Sequence, residues 1–136
     1  MASGYSGRPL SAKLGLKPGQ RAWRSAMPAS VAAEIEAGEP GFEYGDEPGA
    51  GLDHAHVFTS SRGELEALLA RLRPLLAPAG MVWVSWPKKS SKMTSDLTED
   101  VVREVAFPHG FVDVKVCAVD ETWSGLKLVI RKALRG

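Results

Sequence analysis

The chain has 136 residues, of which 44% are apolar and 24% charged, with 17 Lys and Arg against 16 Asp and Glu. This balance excludes a disordered chain and fits one globular domain with a single core, while a net charge of +1 names no partner. One cysteine excludes an internal disulfide or a Cys-rich zinc site. No apolar run approaches the roughly 18 residues that cross a bilayer. Met1 to Leu10 is small and polar and has no signal-peptide core, so a cytoplasmic location is the expectation.

Taken in order, the elements alternate. Residues 1–8 read as a flexible lead. Pro9 to Leu14 suits a short helix with proline in its first turn and Gly15 past its end. Lys17-Pro18-Gly19-Gln20 is a turn. Arg21 to Met27 reads as the first strand, Ser30 to Ala37 as a helix closed by Gly38, and Phe42 to Gly45 as a short second strand. Asp46 to Asp53, with two glycines and a proline, reads as a loop. Ala55 to Thr59 is a short strand. Leu65, Leu68, Leu69, Leu72, Leu75 and Leu76 then fall on one helical face, with Pro74 tightening or kinking the last turn. Pro78-Ala79-Gly80 breaks the chain, and Met81 to Trp86 is apolar enough for a strand covered on both faces. Asp96 and Glu99 have the spacing of a capping box for the next helix, which Pro108-His109-Gly110 ends. The last two strands form a hairpin. Val112, Val114, Val116 and Ala118 alternate with Asp113, Lys115 and Cys117, giving a half-wet sheet edge, and Asp120 to Gly125 is the tip.

Charge is uneven. Residues 1–33 carry basic groups and no acid, whereas 34–53 carry seven acids and no base. The two blocks form either opposed surfaces or two solvated ones.

This order predicts an α/β fold: a single three-layer Rossmann-like sandwich, mostly parallel, with a C-terminal antiparallel hairpin. The hairpin and the segment LRPLLAPAGMVWVSW resemble the class I methyltransferases, in which the final strand inserts antiparallel into the sheet. More closely, GYSGRPLSAKLGLKPG (4–19), VSWPKKSSKMTSDLTEDVVREV (84–105) and VDVKVCAVDETWSGLKLVIRK (112–132) resemble an uncharacterised bacterial family, domain of unknown function 3052. That resemblance spans nearly the whole chain. It implies a small bacterial cytosolic protein and carries no activity, cofactor or catalytic residue. The methyltransferase likeness implies S-adenosylmethionine held over a glycine-rich turn after the first strand. Here that stretch, Ser25 to Ser30, has no glycine and contains Pro28. An acid ending the second strand would hold the ribose, and Glu43 or Asp46 stands there.

Ligands of parallel sheets collect beyond the carboxyl ends of the strands. The topology sends four segments there: Met27-Pro28, Thr59-Ser60-Ser61, Trp86 to Lys89, and the tip Asp120-Glu121-Thr122-Trp123. Lys88, Lys89 and Lys92 are candidates to grip a phosphate, with Ser60, Ser61 and helix amides as neutral donors. The plainer reading pairs those lysines with Asp120 or Glu121. Trp86 and Trp123 are candidates to stack on a planar ligand, or simply pack the hairpin on the sheet. His54 and His56 share a strand face, but a metal site needs further ligands. Cys117 reads as a small edge residue. Dinucleotide and P-loop glycine motifs are absent, and three clustered lysines with no binding motif disfavour nucleic acid. The sequence therefore favours a non-catalytic module without a cofactor, binding a protein partner or small anionic ligand at this rim. The alternative is a minimal or degenerate enzyme dependent on S-adenosylmethionine or a nucleotide.

Overall fold

In the computed structural model, which describes residues 9–38, 41 and 44–135, six strands form one sheet. The chain order is α1 (Leu10–Lys13), β1 (Ala22–Ser25), α2 (Ala29–Ala37), β2 (Tyr44–Gly45), β3 (Leu52–Phe58), α3 (Arg62–Leu72), β4 (Leu76–Pro87), α4 (Glu99–Ala106), β5 (Phe111–Ala118) and β6 (Trp123–Ile130). The spatial order is β2-β1-β3-β4-β6-β5. Strands β1 to β4 run parallel, and β6 enters antiparallel between β4 and β5.

Two apolar layers flank the sheet. Leu65, Leu69 and Leu72 of α3 and Val102, Val105 and Ala106 of α4 pack on one face. Leu10 and Leu14 near the N-terminus and Val31 and Ile35 of α2 pack with Phe58 and Trp83 on the other. The predicted three-layer α/β sandwich with its antiparallel hairpin is thus the fold observed. Among the described residues, no helix is long and apolar enough to cross a membrane.

Several boundaries differ from the sequence reading. Strand β1 stops at Ser25 because Ala26 turns into the left-handed region, with φ 56°. Leu52 and Asp53 belong to β3 rather than to the preceding loop. Leu75 and Leu76 do not extend the helix: α3 ends at Leu72, and Pro74 has no N–H with which to continue it. Pro78-Ala79-Gly80 does not separate two elements. It lies within β4 at an irregularity, where Leu52 pairs with Leu76 but His54 with Met81. A side chain at Gly80 would meet the Leu52 carbonyl oxygen at 2.7 Å, which explains the glycine. Trp123, Ser124 and Gly125 are strand residues, so the tip is shorter than expected. The expected strand over 42–45 is seen as Tyr44–Gly45, and residues 42 and 43, like 1–8, lie outside the described residues.

Strand β5 also departs from simple alternation. Its pairing with β6 shifts between Asp113 and Lys115, so Val114 sits in a bulge and the faces exchange beyond it. Val114 and Val116, in and beyond the bulge, are 52% and 50% exposed, and Val112, before it on this outer strand, is 39% exposed. The basic N-terminal stretch meets the acidic one without a side-chain ion pair among the described residues: the Arg21 backbone N–H donates to the Asp53 carboxylate and its guanidinium to the Ala50 carbonyl, Arg24 lies over the Tyr44 ring, and Glu47 pairs with Arg71 of α3.

Asp96 is not the cap of α4. Thr98 is, its hydroxyl accepting from the Val101 N–H at 3.3 Å, because the buried Leu97 carries the chain past Asp96 in an extended conformation. The Asp96 N–H instead donates to the Ser60 carbonyl. Thr98→Ala is therefore expected to lower unfolding free energy by about 1 kcal/mol, and Asp96→Ala by clearly less, in urea denaturation followed by circular dichroism. Equal losses would contradict the cap assignment.

Candidate functional site

Strands β1 and β3 are neighbours and parallel, yet α2 packs on one face of the sheet and α3 on the other. The candidate site is the carboxyl ends of these two strands, where such a divergence puts the ligands of open α/β sheets. Its first wall is the turn Ser25-Ala26-Met27-Pro28. Ala26 is exposed and left-handed, a conformation that costs a non-glycine residue about 1 kcal/mol. Met27 is half-buried against the α1–α2 layer. Pro28 occupies the N-cap position of α2, where its missing N–H removes no helical bond. No side chain caps this helix, so the first amides of α2 remain available.

The next wall follows β3. Thr59 is buried, and its hydroxyl accepts the Ser61 N–H at 3.1 Å. Ser61 caps α3, accepting from the Glu64 N–H at 3.2 Å. The Ser60 carbonyl is taken by the Asp96 N–H. Ser60 and Ser61 therefore lie at the rim, but the Ser61 oxygen is committed to its own helix. On the far side of β1, Asp46 follows β2 and is exposed, while its backbone carbonyl accepts the Trp23 indole N–H at 3.3 Å. Glu43 lies outside the described residues.

The hairpin side of the rim is tightly pinned. The Lys88 ammonium donates to the Asp120 carbonyl at 2.7 Å, and its backbone N–H to the Thr122 carbonyl at 2.8 Å. The Asp120 carboxylate does not pair with a lysine. It accepts the Thr122 and Trp123 N–H groups, each at 2.8 Å, and so shapes its own turn. Lys89 opens a short 3-10 turn and Lys92 follows it in the left-handed region; both are exposed, as is Glu121. Trp86 does not face the rim: it is 6% exposed and belongs to the layer beneath α3 and α4. Alternation along β4 explains this, since Ser85 and Trp86 must take opposite faces. Trp123 is half-buried and meets Phe58 edge to face, with ring centroids 5.1 Å apart.

The two histidines of β3 do a different job. Both are fully buried. His54 Nε2 donates to the Leu14 carbonyl at 2.9 Å, and the Trp83 indole N–H donates to the same oxygen, also at 2.9 Å. His56 Nε2 lies 2.7 Å from the Ser85 hydroxyl, and its ring stacks on Phe58 at 4.4 Å. Their Nδ1 atoms have no hydrogen-bond partner among the described residues. Among those residues there is also no group of three or more His, Cys, Asp or Glu side chains placed to hold a metal. Period-two spacing put the histidines on one face; it gave no sign that the Leu14 carbonyl would meet them.

Burial lowers the His54 pKa to about 4, and that of His56 well below its ordinary value. Well above a pH of about 6.5 both rings are neutral whether the chain is folded or not. As pH falls from there towards about 4, the unfolded chain takes up protons that the folded one refuses, so stability declines. His54 alone accounts for about 3 kcal/mol of that decline. Urea midpoints are expected to fall steeply between about pH 7 and about pH 4.5. A midpoint that stays level over this range would contradict the buried, neutral assignment.

Comparison with solved structures gives the fold a context. The chain is similar to a SAM-dependent methyltransferase from Aquifex aeolicus, with a TM-score of 0.63 and 12% identity over 89% of this chain and 87% of that one. It is similar to a putative type 11 methyltransferase from Sulfolobus solfataricus, with a TM-score of 0.61 and 11% identity over 90% of both chains. It also matches LepI solved with SAM, at a TM-score of 0.58 and 12% identity, but spans only 39% of that chain. These likenesses show a methyltransferase-like Rossmann fold. No protein-family model matches the chain, and no curated protein sequence matches it.

Proposed function

We propose that this chain binds S-adenosylmethionine, or a nucleotide sharing its adenosyl part, in the crevice beyond β1 and β3, and acts as a small S-adenosylmethionine-dependent enzyme. The observation that carries this reading is Ala26. The absence of glycine between Ser25 and Ser30 argues against adenosyl binding only if the backbone there avoids the conformation glycine permits. Ala26 adopts that conformation, with φ 56°, using the smallest side chain that is not glycine. Backbone held in a costly region at a strand exit is a mark of a functional turn.

The surrounding residues fit such a ligand. The uncapped first amides of α2 suit its carboxylate or a phosphate, since a helix N-terminus carries partial positive charge. Asp46, exposed after β2, is placed to accept from ribose hydroxyls. Thr59 and Ser60, at the exit of β3, form the opposite edge. When bound, S-adenosylmethionine supplies an electrophilic methyl group. This chain's own part is to orient the ligand on the β1 turn and fix the ribose end. Similarity to structures such as the magnesium protoporphyrin IX methyltransferase of Synechocystis, solved with bound SAM, supports an enzyme over a non-catalytic module.

Ala26→Gly and Ala26→Val separate the turn's role from general packing. Ala26→Gly is expected to raise unfolding free energy by roughly 1 kcal/mol, because glycine relieves the left-handed strain. It should keep the rise in melting temperature on adding S-adenosylmethionine. Ala26→Val is expected to abolish that rise. If saturating S-adenosylmethionine, S-adenosylhomocysteine and adenine nucleotides all leave the wild-type melting temperature unmoved, the reading fails.

A further inference from the structure

The cations of this chain are divided by type. Three arginines reach carboxylates: Arg62 pairs with Glu104, Arg71 with Glu47, and Arg103 with Glu99, Asp100 and Asp113, while Arg21, Arg131 and Arg135 bond backbone carbonyls. Lys17, Lys115 and Lys127 form no ion pair among the described residues. Lys115 of β5 stands directly opposite Lys127 of β6. Like charges so opposed across an antiparallel pair weaken a sheet. The Lys115 ammonium lies 6.0 Å from the centre of the Trp83 ring, which places the pair on the α1 side of the sheet. Lys17, just after α1, acts on Lys127 from the same side. Burial and these two cations together hold the Lys127 pKa below its ordinary value. Burial pushes the Cys117 thiol up on this same face, and Lys13, Lys115 and Lys88 oppose that rise, which places all three lysines near it.

The Lys115–Lys127 pair and Lys88 are spaced along β6. Lys127 is paired level with Trp83, and Trp123 level with Pro87, so four residues separate the lysine pair from the rim. At 3.3 Å per residue this is roughly 13 Å. Lys88 stands at that upper end, using one of three ammonium donors on the Asp120 carbonyl. Beside it, Trp123 is half-buried and meets Phe58 edge to face.

We propose that this face of the C-terminal hairpin is a track for single-stranded nucleic acid, with successive phosphates against Lys17, the Lys115–Lys127 pair and Lys88, and a base stacked on Trp123. Charge complementarity selects a polyanion, because uncompensated lysines in a row cost stability that a structural role would not require. The aromatic ring at the end of the row selects nucleic acid over an acidic protein, since bases stack on such rings and carboxylates do not. The three neighbouring lysines of residues 88–92 are too few to carry this reading from sequence. The surface exists because the turn after α1, β5, β6 and the loop after β4 converge. Its upper end, at Lys88 and Trp123, is the hairpin side of the rim, whereas the Lys115–Lys127 pair lies on the sheet face below; binding along it does not require adenosyl binding.

Fluorescence anisotropy with a short labelled oligouridylate tests the proposal. Binding is expected to be saturable at about 50 mM salt and to weaken towards about 200 mM with a log–log slope near −3, about 0.7 per lysine contact. Lys115→Ala/Lys127→Ala should reduce affinity at least about tenfold and make the slope shallower by about 1.4. It should melt no lower than wild type, because it removes a like-charge pair; Lys115→Arg/Lys127→Arg, which keeps the charge, should still bind. The proposal is overturned if the oligouridylate does not bind at low salt, if the alanine variant binds it as wild type does, or if polyglutamate displaces it at equal charge concentration.

Discussion

Two adjacent parallel strands whose following helices leave on opposite faces dictate the rest of this molecule. Strands β1 and β3 are paired from Ala22–His54 to Ser25–Val57, so their carboxyl ends stand side by side. Helix α2 then turns towards α1, and α3 towards α4. Ligands of open α/β sheets bind where neighbouring strands send their helices to opposite faces in this way. Both walls are made by short-range chemistry: a left-handed alanine on one side, and a threonine–serine turn that caps its own helix on the other.

Holding that geometry requires both faces of the central strands to be covered. On one face this is ordinary apolar packing of leucines and valines. On the other, the short α1 segment is fastened by polar bonds inside the core. One carbonyl, that of Leu14, receives N–H groups from His54 on β3 and Trp83 on β4. The arrangement ties the N-terminal layer to two strands at once, and the buried rings favour their neutral forms. A histidine pair that invites a metal reading is in this fold a fastening for α1, because a carbonyl oxygen lies within reach of one ring and a serine hydroxyl of the other.

The hairpin closes the sheet and carries the molecule's unevenness. Its outer strand is bulged at Val114 and exposes three valines, which blunts a flat edge. Its α1-side face carries Lys115 and Lys127, which form no ion pair among the described residues. Conversely, the tip is one of the most firmly held parts of the rim, since Asp120 bonds its own turn and Lys88 clasps it from the neighbouring loop.

Hydrophobic periodicity and turn chemistry were enough to read the layered α/β class, the parallel centre, the antiparallel end and most of the helices, because those features follow from local spacing and burial. The segments that meet at the carboxyl ends were legible too, since strand direction fixes which loops share an end. Three things were set only by the chain in three dimensions. Backbone conformation at Ala26 depends on where β1 must release the chain to α2, and alanine alone does not announce a left-handed turn. The facing of Trp86 depends on strand register, which reverses a side chain with a shift of one residue. The set of Lys17, Lys88, Lys115 and Lys127 joins residues more than a hundred positions apart, and local charge density cannot reveal a surface that folding assembles from four separate segments.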